Sequence, residues 1–312
     1  MMKPTIGITG LGLLGRGIAT CFLSRGYRVI GHSRSEKTRA EAREYIRSGI
    51  SDLVTRGGMP ASLNGEWQTN YTEAAALTPF AECDFVIESI VEDLEAKRKT
   101  FDELENLLRD DAVIASNTSA LPITLLQKER KHPGRFIGTH WAEPCHLTRF
   151  LEVVRGESTT DTTVNFTMQL ATNVGKEPTL VKKDIEGFIV NRLGYALYRE
   201  AFHLLEKGVA DAEMIDRATR NALGIWTEVT GPFRWMDLTG LTSYAAVMGR
   251  LFPTLSNSTQ IPPTLQKLID AGAQGIANGK GFYNYTPEEI HKWEQKILDH
   301  VWQMRDFAEK HP

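Results

Sequence analysis

Thr5-Ile6-Gly7-Ile8-Thr9-Gly10-Leu11-Gly12-Leu13-Leu14-Gly15-Arg16-Gly17-Ile18-Ala19 passes from a short apolar run through a glycine-spaced turn into a helical pattern, and it decides the fold class. Ile6 and Ile8 suit a buried first strand; Gly10, Gly12 and Gly15 then supply G-x-G-x-x-G. Each glycine answers a physical need, with a tight turn at Gly10, close backbone approach to a pyrophosphate at Gly12, and close helix-to-sheet packing at Gly15. The N–H groups that open the following helix would face the phosphates, where the helix dipole favours negative charge. Ile18, Ala19, Phe22 and Leu23 continue at helical spacing, Gly26 stops the helix, and residues 27–30 read as a second strand. Together these predict a β-α-β unit built for a dinucleotide.

Outward from this unit the alternation continues. After residues 31–37 an amphipathic stretch runs through Ile46 and Leu53, and residues 57–72 read as an irregular excursion. Strands are expected near residues 84–87, 112–115, 136–140, 151–154 and 179–181, with a charged helix opening around Val91 to Lys97. This is the pattern of an α/β Rossmann domain, doubly wound, whose ligands sit off the carboxyl ends of the strands. From Asp184 the character turns helical, so the expected domains are 1–183 for the dinucleotide and an all-α part, 184–312, for substrate and dimerisation. In that part Phe188, Leu193, Leu197, Ala201 and Leu204 make an apolar stripe, leaving Asn191 and Tyr195 on another face. Thr286-Pro287-Glu288-Glu289 is a capping box, and Ile290, Trp293, Ile297, Val301 and Met304 form a stripe for docking on the same chain or on a second copy.

The 312 residues suffice for two cores, with 41% hydrophobic and 24% charged residues, as in ordinary globular proteins. A formal net charge of −3 without a basic stripe argues against a nucleic-acid partner. Cys21, Cys83 and Cys145 are scattered without metal-ligand spacing, so no metal site is expected and reduced thiols in a cytoplasmic protein are. No apolar run approaches the roughly 20 residues that span a bilayer, so no membrane partner is expected.

With these pieces placed, the sequence resembles the L-3-hydroxyacyl-CoA dehydrogenase family along nearly its whole length. The likeness is carried by Val86-Ile87-Glu88-Ser89-Ile90-Val91-Glu92, by Ser116-Asn117-Thr118-Ser119-Ala120-Leu121-Pro122, by the spacing from His140 to Glu152, and by Gly187-Phe188-Ile189-Val190-Asn191-Arg192. Gly231-Pro232-Phe233 and Gly279-Lys280-Gly281-Phe282-Tyr283 add lesser matches. The resemblance implies a hydride transfer between a nicotinamide dinucleotide and the secondary β-hydroxyl of a 3-hydroxyacyl-CoA or a small 3-hydroxy acid. It implies His140 as catalytic base, Glu152 as its orienting carboxylate, and Ser119 and Asn191 near the substrate oxygen. It also places Leu13, Leu14, Glu92, Lys97 and Asn117 with the glycines along the cofactor. The chemistry needs such a set independently. An imidazole with a pKa of about 6.5 suits removal of a hydroxyl proton, and a paired carboxylate fixes its tautomer. Polar groups such as Ser119 and Asn191 can hydrogen-bond an oxygen on which charge develops.

Departures from the family pattern leave the substrate class open. His140-Trp141-Ala142-Glu143-Pro144 stands where the family usually has H-F-F-N-P, Arg149 stands where many members have lysine, and the terminal segment looks more like the lambda-crystallin and L-gulonate dehydrogenase branch. Arg149 and Arg192 are the candidates to hold an anionic part of the substrate, since guanidinium forks match carboxylates. The second strand is followed by Gly31-His32-Ser33-Arg34-Ser35 with no acid at its end, so Ser33 and Arg34 are expected to receive a 2′-phosphate and favour NADP, with NAD as the alternative. Two other readings remain. One is an enzyme of the 6-phosphogluconate and β-hydroxyacid dehydrogenase group with a lysine base; the other is a non-catalytic NADP-binding structural or regulatory protein. A homodimer is the expected assembly.

Overall fold

A computed structural model describes residues 3–311. The chain runs β1 (Ile6–Thr9), α1 (Leu13–Leu23), β2 (Val29–His32), α2 (Glu36–Thr55), α3 (Leu63–Asn70), β3 (Tyr71–Ala74), β4 (Phe85–Glu88), α4 (Leu94–Leu107), β5 (Val113–Ser116), α5 (Ile123–Gln127), β6 (Phe136–His140), β7 (Phe150–Val154), α6 (Asp161–Asn173) and β8 (Glu177–Val181). The strands form one sheet in the order β3-β2-β1-β4-β5-β6-β7-β8. All neighbours are parallel except β6 and β7. This is the expected doubly wound α/β arrangement, with one antiparallel step.

Helices cover both faces, which is why the central strands are apolar at consecutive positions. Phe85, Ile87, Val113 and Ala115 pack with Phe22, Ile46 and Leu170 on one face. Their neighbours Val86 and Ile114 point the other way and pack with Phe101, Leu104 and Phe136. Fully burying each such side chain contributes about 1.5–3 kcal/mol. Helix starts are set locally: Ser35, Asp93 and Thr160 each accept a hydrogen bond from the backbone three residues on, opening α2, α4 and α6.

Residues 57–72 are not irregular as expected, since α3 and the edge strand β3 lie there. Their signal is weak in sequence because α3 buries only Leu63 and Trp67 and β3 is four residues long. Tertiary packing, not propensity, forms them.

Val190–Leu298 forms one compact unit and the other described residues form a second. The first of these holds α7 (Val190–Glu206), α8 (Ala212–Ala218), α9 (Gly224–Val229), α10 (Gly231–Thr239), α11 (Leu241–Leu251), α12 (Pro263–Asp270) and the start of α13 (Pro287–Lys310). The capping box at its start is formed: Glu289 Oε2 accepts from the Thr286 amide at 2.8 Å, and Thr286 Oγ1 accepts from the Glu289 amide at 3.3 Å. Among the described residues of Val190–Leu298, no side chain is buried, and Leu193, Tyr195, Phe233 and Leu241 are each at least 60% exposed.

The second half of α13 belongs to the sheet-bearing unit. Its docking residue is Trp302, outside the expected stripe: its ring is buried with the Arg56 and Arg305 guanidinium groups 5.1 and 5.4 Å from its centre. Trp293 and Ile297 of the stripe are 43% and 58% exposed. A helical pattern marks an apolar face but not which half of a long helix finds a partner. No helix among the described residues is long and apolar enough to cross a membrane.

Candidate active site

The glycine loop has the geometry its spacing predicts. Gly10 has φ +96°, and a Cβ there would fall 2.3 Å from the carbonyl oxygen of Ser89. A Cβ at Gly15 would lie 1.8 Å from the Gly10 oxygen, so α1 can approach β1 only as glycine allows. A Cβ at Gly12 would meet nothing within 4 Å, α1 carries no side-chain cap, and its first turn holds no acid. Uncapped N–H groups facing open space are the feature a pyrophosphate requires. Leu13 at the loop's rim is 53% exposed, and Leu14 is partly buried against the core.

At the end of β2, the Ser33 amide bonds to Ala74 and its hydroxyl accepts from the Ser35 amide at 3.3 Å. Arg34 is exposed and makes no hydrogen bond or ion pair with any described residue. The first acid downstream, Glu36, is held by Arg39.

His140 ends β6 and Glu152 lies directly opposite it in β7. That register puts His140 Nδ1 2.8 Å from Glu152 Oε2, with both residues buried. The other carboxylate oxygen accepts from the Ile189 amide at 3.0 Å. Phe150 and Phe188 bring their rings to 5.7 Å from the imidazole, Phe150 edge-on, and Phe188 holds this place from a left-handed φ of +50°. With Nδ1 committed to the carboxylate, the imidazole's other nitrogen carries the free lone pair, and Nε2 makes no hydrogen bond with any described residue.

The serine loop leaves β5 beside this pair, since Ser116 is register partner to Gly138. Glu92 accepts from the amides of Ser119 at 3.1 Å and Ala120 at 3.3 Å and from the Thr118 hydroxyl. Burial works against ionising Glu92, but Thr118, Lys97 and the Ala120 amide outweigh it and hold the carboxyl below its ordinary range. Lys97 bridges Glu92 at 3.1 Å and Glu88 at 2.7 Å, all but fully buried. Glu88 also accepts from Ser116 at 2.6 Å and the Ile90 amide at 2.8 Å. Asn117 donates to Ser89 and accepts from the Trp141 amide at 3.1 Å, tying the serine loop to the residue after His140.

Glu88, Phe150 and Phe188 were missed as site residues by sequence reasoning. Glu88 and Phe188 both stand in stretches that carry the family likeness, Glu88 as an acid closing the apolar run Phe85-Val86-Ile87. Glu143 turns toward α2, where Oε2 accepts from the Tyr45 hydroxyl at 3.1 Å; burial pushes its carboxyl up. Arg149 lies 3.3 Å from Glu177 and donates to the Ala308 carbonyl at 3.2 Å. Asn191 and Arg192 stand in the first turn of α7, in the helical unit, with Arg192 exposed.

Comparison with known proteins places the chain. Residues 5–185 match the family described as 3-hydroxyacyl-CoA dehydrogenase, NAD binding domain, and residues 187–285 match its C-terminal domain. A 5-formyl-3-hydroxy-2-methylpyridine 4-carboxylate 5-dehydrogenase from Mesorhizobium japonicum is 33% identical over 92% of this chain and 93% of its own. A probable 3-hydroxybutyryl-CoA dehydrogenase from Deinococcus radiodurans is also 33% identical, over 89% of this chain and 99% of its own. Among solved structures, a dehydrogenase of the same pyridine carboxylate, described as an NAD+ dependent dismutase, superposes with a TM-score of 0.92 at 31% identity over 99% of both chains. The (S)-3-hydroxybutyryl-CoA dehydrogenase of Ralstonia eutropha gives 0.76 at 28% identity, over 91% of this chain and all of its own.

Proposed function

The chain belongs to the 3-hydroxyacyl-CoA dehydrogenase family, and from that premise we propose that it moves hydride between a nicotinamide cofactor and a small hydroxy or formyl carboxylic acid, with His140 as base. The observation that carries the chemistry is the 2.8 Å contact from His140 Nδ1 to Glu152, which leaves Nε2 to act. Nε2 takes the hydroxyl proton of the substrate, and the Glu152 carboxylate stabilises the imidazolium that results. A bound nicotinamide supplies the hydride acceptor. A secondary alcohol and a hydrated aldehyde present the same H–C–O–H grouping to this base, so one site serves both. Ser119, placed by Glu92, and Asn191 are the proposed hydrogen-bond donors to the oxygen that develops carbonyl character. Arg192 is the proposed partner of the substrate carboxylate.

Likeness supports a free acid over a CoA thioester. The pyridine carboxylate dehydrogenase matches 99% of both chains, whereas the hydroxybutyryl-CoA enzyme leaves about a tenth of this chain unmatched, and the matched family pattern stops at residue 285, before α13. Following NAD(P)H absorbance across free 3-hydroxy acids, formyl- and hydroxymethyl-substituted aromatic carboxylates and 3-hydroxyacyl-CoAs tests this. Turnover of free acids at least tenfold above the thioesters supports it, and the reverse order overturns it.

Two further parts of the reading concern the cofactor and the assembly. The exposed, uncommitted Arg34, with no free acid beside it, supports NADP over NAD in this chain. A helical unit of over a hundred residues without a buried side chain is too poor in core to stand alone, which supports a homodimer that covers its apolar face.

A further inference from the structure

A second concentration of charge lies within the sheet-bearing unit, apart from the dyad's imidazole. It is a cavity of about 390 Å³ whose charged lining is Arg25, Arg149, Lys176, Arg305 and Glu309, with His146 beside them. Four cations thus face one carboxylate. Arg305 is paired with Glu309 at 3.1 Å, and Arg149 with Glu177 at 3.3 Å. The other two cations have no acid. Lys176 is 5% exposed, and its ammonium donates to the carbonyls of Cys145 and Thr148 and lies 5.0 Å from the Trp141 ring centre. Arg25 makes no side-chain hydrogen bond or ion pair with any described residue. Gly175, at φ +85°, makes room for it, since a Cβ there would sit 3.0 Å from Arg25 Nη2.

The Lys176 ammonium meets two carbonyl dipoles and an aromatic face but no acid, and a second guanidinium without an acid adds to the positive charge of the lining. His146 lies beside these cations. Its Nδ1 is buried without a partner, and burial, with Lys176 and Arg305 adding to it, lowers its pKa to about 4. The imidazole is therefore neutral at pH 7 and adds no repulsion of its own. The carbonyl end of α6 offsets part of the Arg25 charge, but Lys176 has no ion pair with any described residue.

We propose that this cavity is a binding site for a small oxyanion, phosphate- or carboxylate-bearing, separate from the substrate's place at His140. Arg25 and Arg149 supply planar donor forks for its oxygens, and Lys176 supplies a fixed point charge. Because residues 146–149 belong to the segment that joins the His140 strand to the Glu152 strand, occupancy stiffens the connection that sets their register.

The test is calorimetric titration of the full chain, with its nicotinamide cofactor already saturating, using inorganic phosphate in one arm and citrate in the other at matched ionic strength. Saturable binding of one anion per chain is expected in at least one arm; the arm that responds identifies phosphate or carboxylate chemistry. Arg25→Gln, an exposed substitution outside the catalytic set, is expected to weaken that binding at least tenfold while turnover without added anion is unchanged. Arg149→Gln gives an independent reading and is expected to weaken it likewise. Absence of saturable binding in both arms, or binding that neither substitution changes, overturns the proposal.

Discussion

His140 and Glu152 are register partners across β6 and β7, and their side chains meet at 2.8 Å between Nδ1 and Oε2. The pair depends on the one antiparallel step in an otherwise parallel set of neighbours. In an antiparallel pair, residues directly opposite have Cβ atoms only about 4.5–5.5 Å apart, so a single hairpin-like return places base and carboxylate without help from a loop. The Ile189 amide and the Phe150 and Phe188 rings then hold the carboxylate and the imidazole in place.

Lys97→Met should destabilise the protein by about 3–5 kcal/mol, because it leaves the buried Glu88 carboxylate without its cation. Adding Glu88→Gln should restore part of that loss, since the fully buried carboxylate is then gone and only the partly exposed Glu92 is left without the cation. Urea titration of the two variants measures both values. A single variant as stable as the wild type would contradict the network.

Arg34→Ala should lower kcat/KM for NADP by about ten- to a hundredfold and change that for NAD little, because a charge-assisted hydrogen bond to a 2′-phosphate contributes about 1.5–3 kcal/mol. The wild type should favour NADP. Equal losses with both cofactors, or a wild type that favours NAD, would reject phosphate recognition at Arg34.

Acid stability should carry the signature of His146. Its pKa falls from 6.5 to about 4 on folding through burial, so the unfolded chain binds this proton first as pH drops. Its contribution is fully present above pH 6.5 and lost as pH falls to about 4. Urea midpoints measured across that window should decline less steeply in His146→Asn than in the wild type. Matching slopes would remove the assignment.

Light scattering coupled to size-exclusion chromatography should give twice the chain mass at micromolar concentration. The apolar face of α7 to α11 is the reason, with Leu193, Tyr195, Val209 and Phe233 at 60–79% exposure. A stable monomer with one cooperative unfolding transition would contradict it.

Much of this was legible in the residues because it is local. The glycine loop, the capping box at Thr286 and the strand end at His140 each depend on a few neighbours and were found where the pattern placed them, and the strand expected at 112–115 ends one residue later, at Ser116. The spacing from His140 to Glu152 pointed to a pair only through family likeness; the contact itself needs the β6 to β7 register, which no local pattern encodes. Lys97 shows the limit from the other side. Its position was readable, but its burial between Glu88 and Glu92 comes from strands brought together by the fold. Trp302 was overlooked because a helical stripe does not say which residue meets Arg56, some 250 positions earlier in the chain.

The central claim is that His140 acts as base with Glu152 behind it, and kcat/KM of His140→Ala at saturating cofactor tests it most directly. Loss of the base should lower kcat/KM by about 10²–10⁴-fold, with cofactor binding, followed by nicotinamide fluorescence, left intact. Turnover within a fewfold of the wild type would contradict the account and point to a different base, such as a lysine.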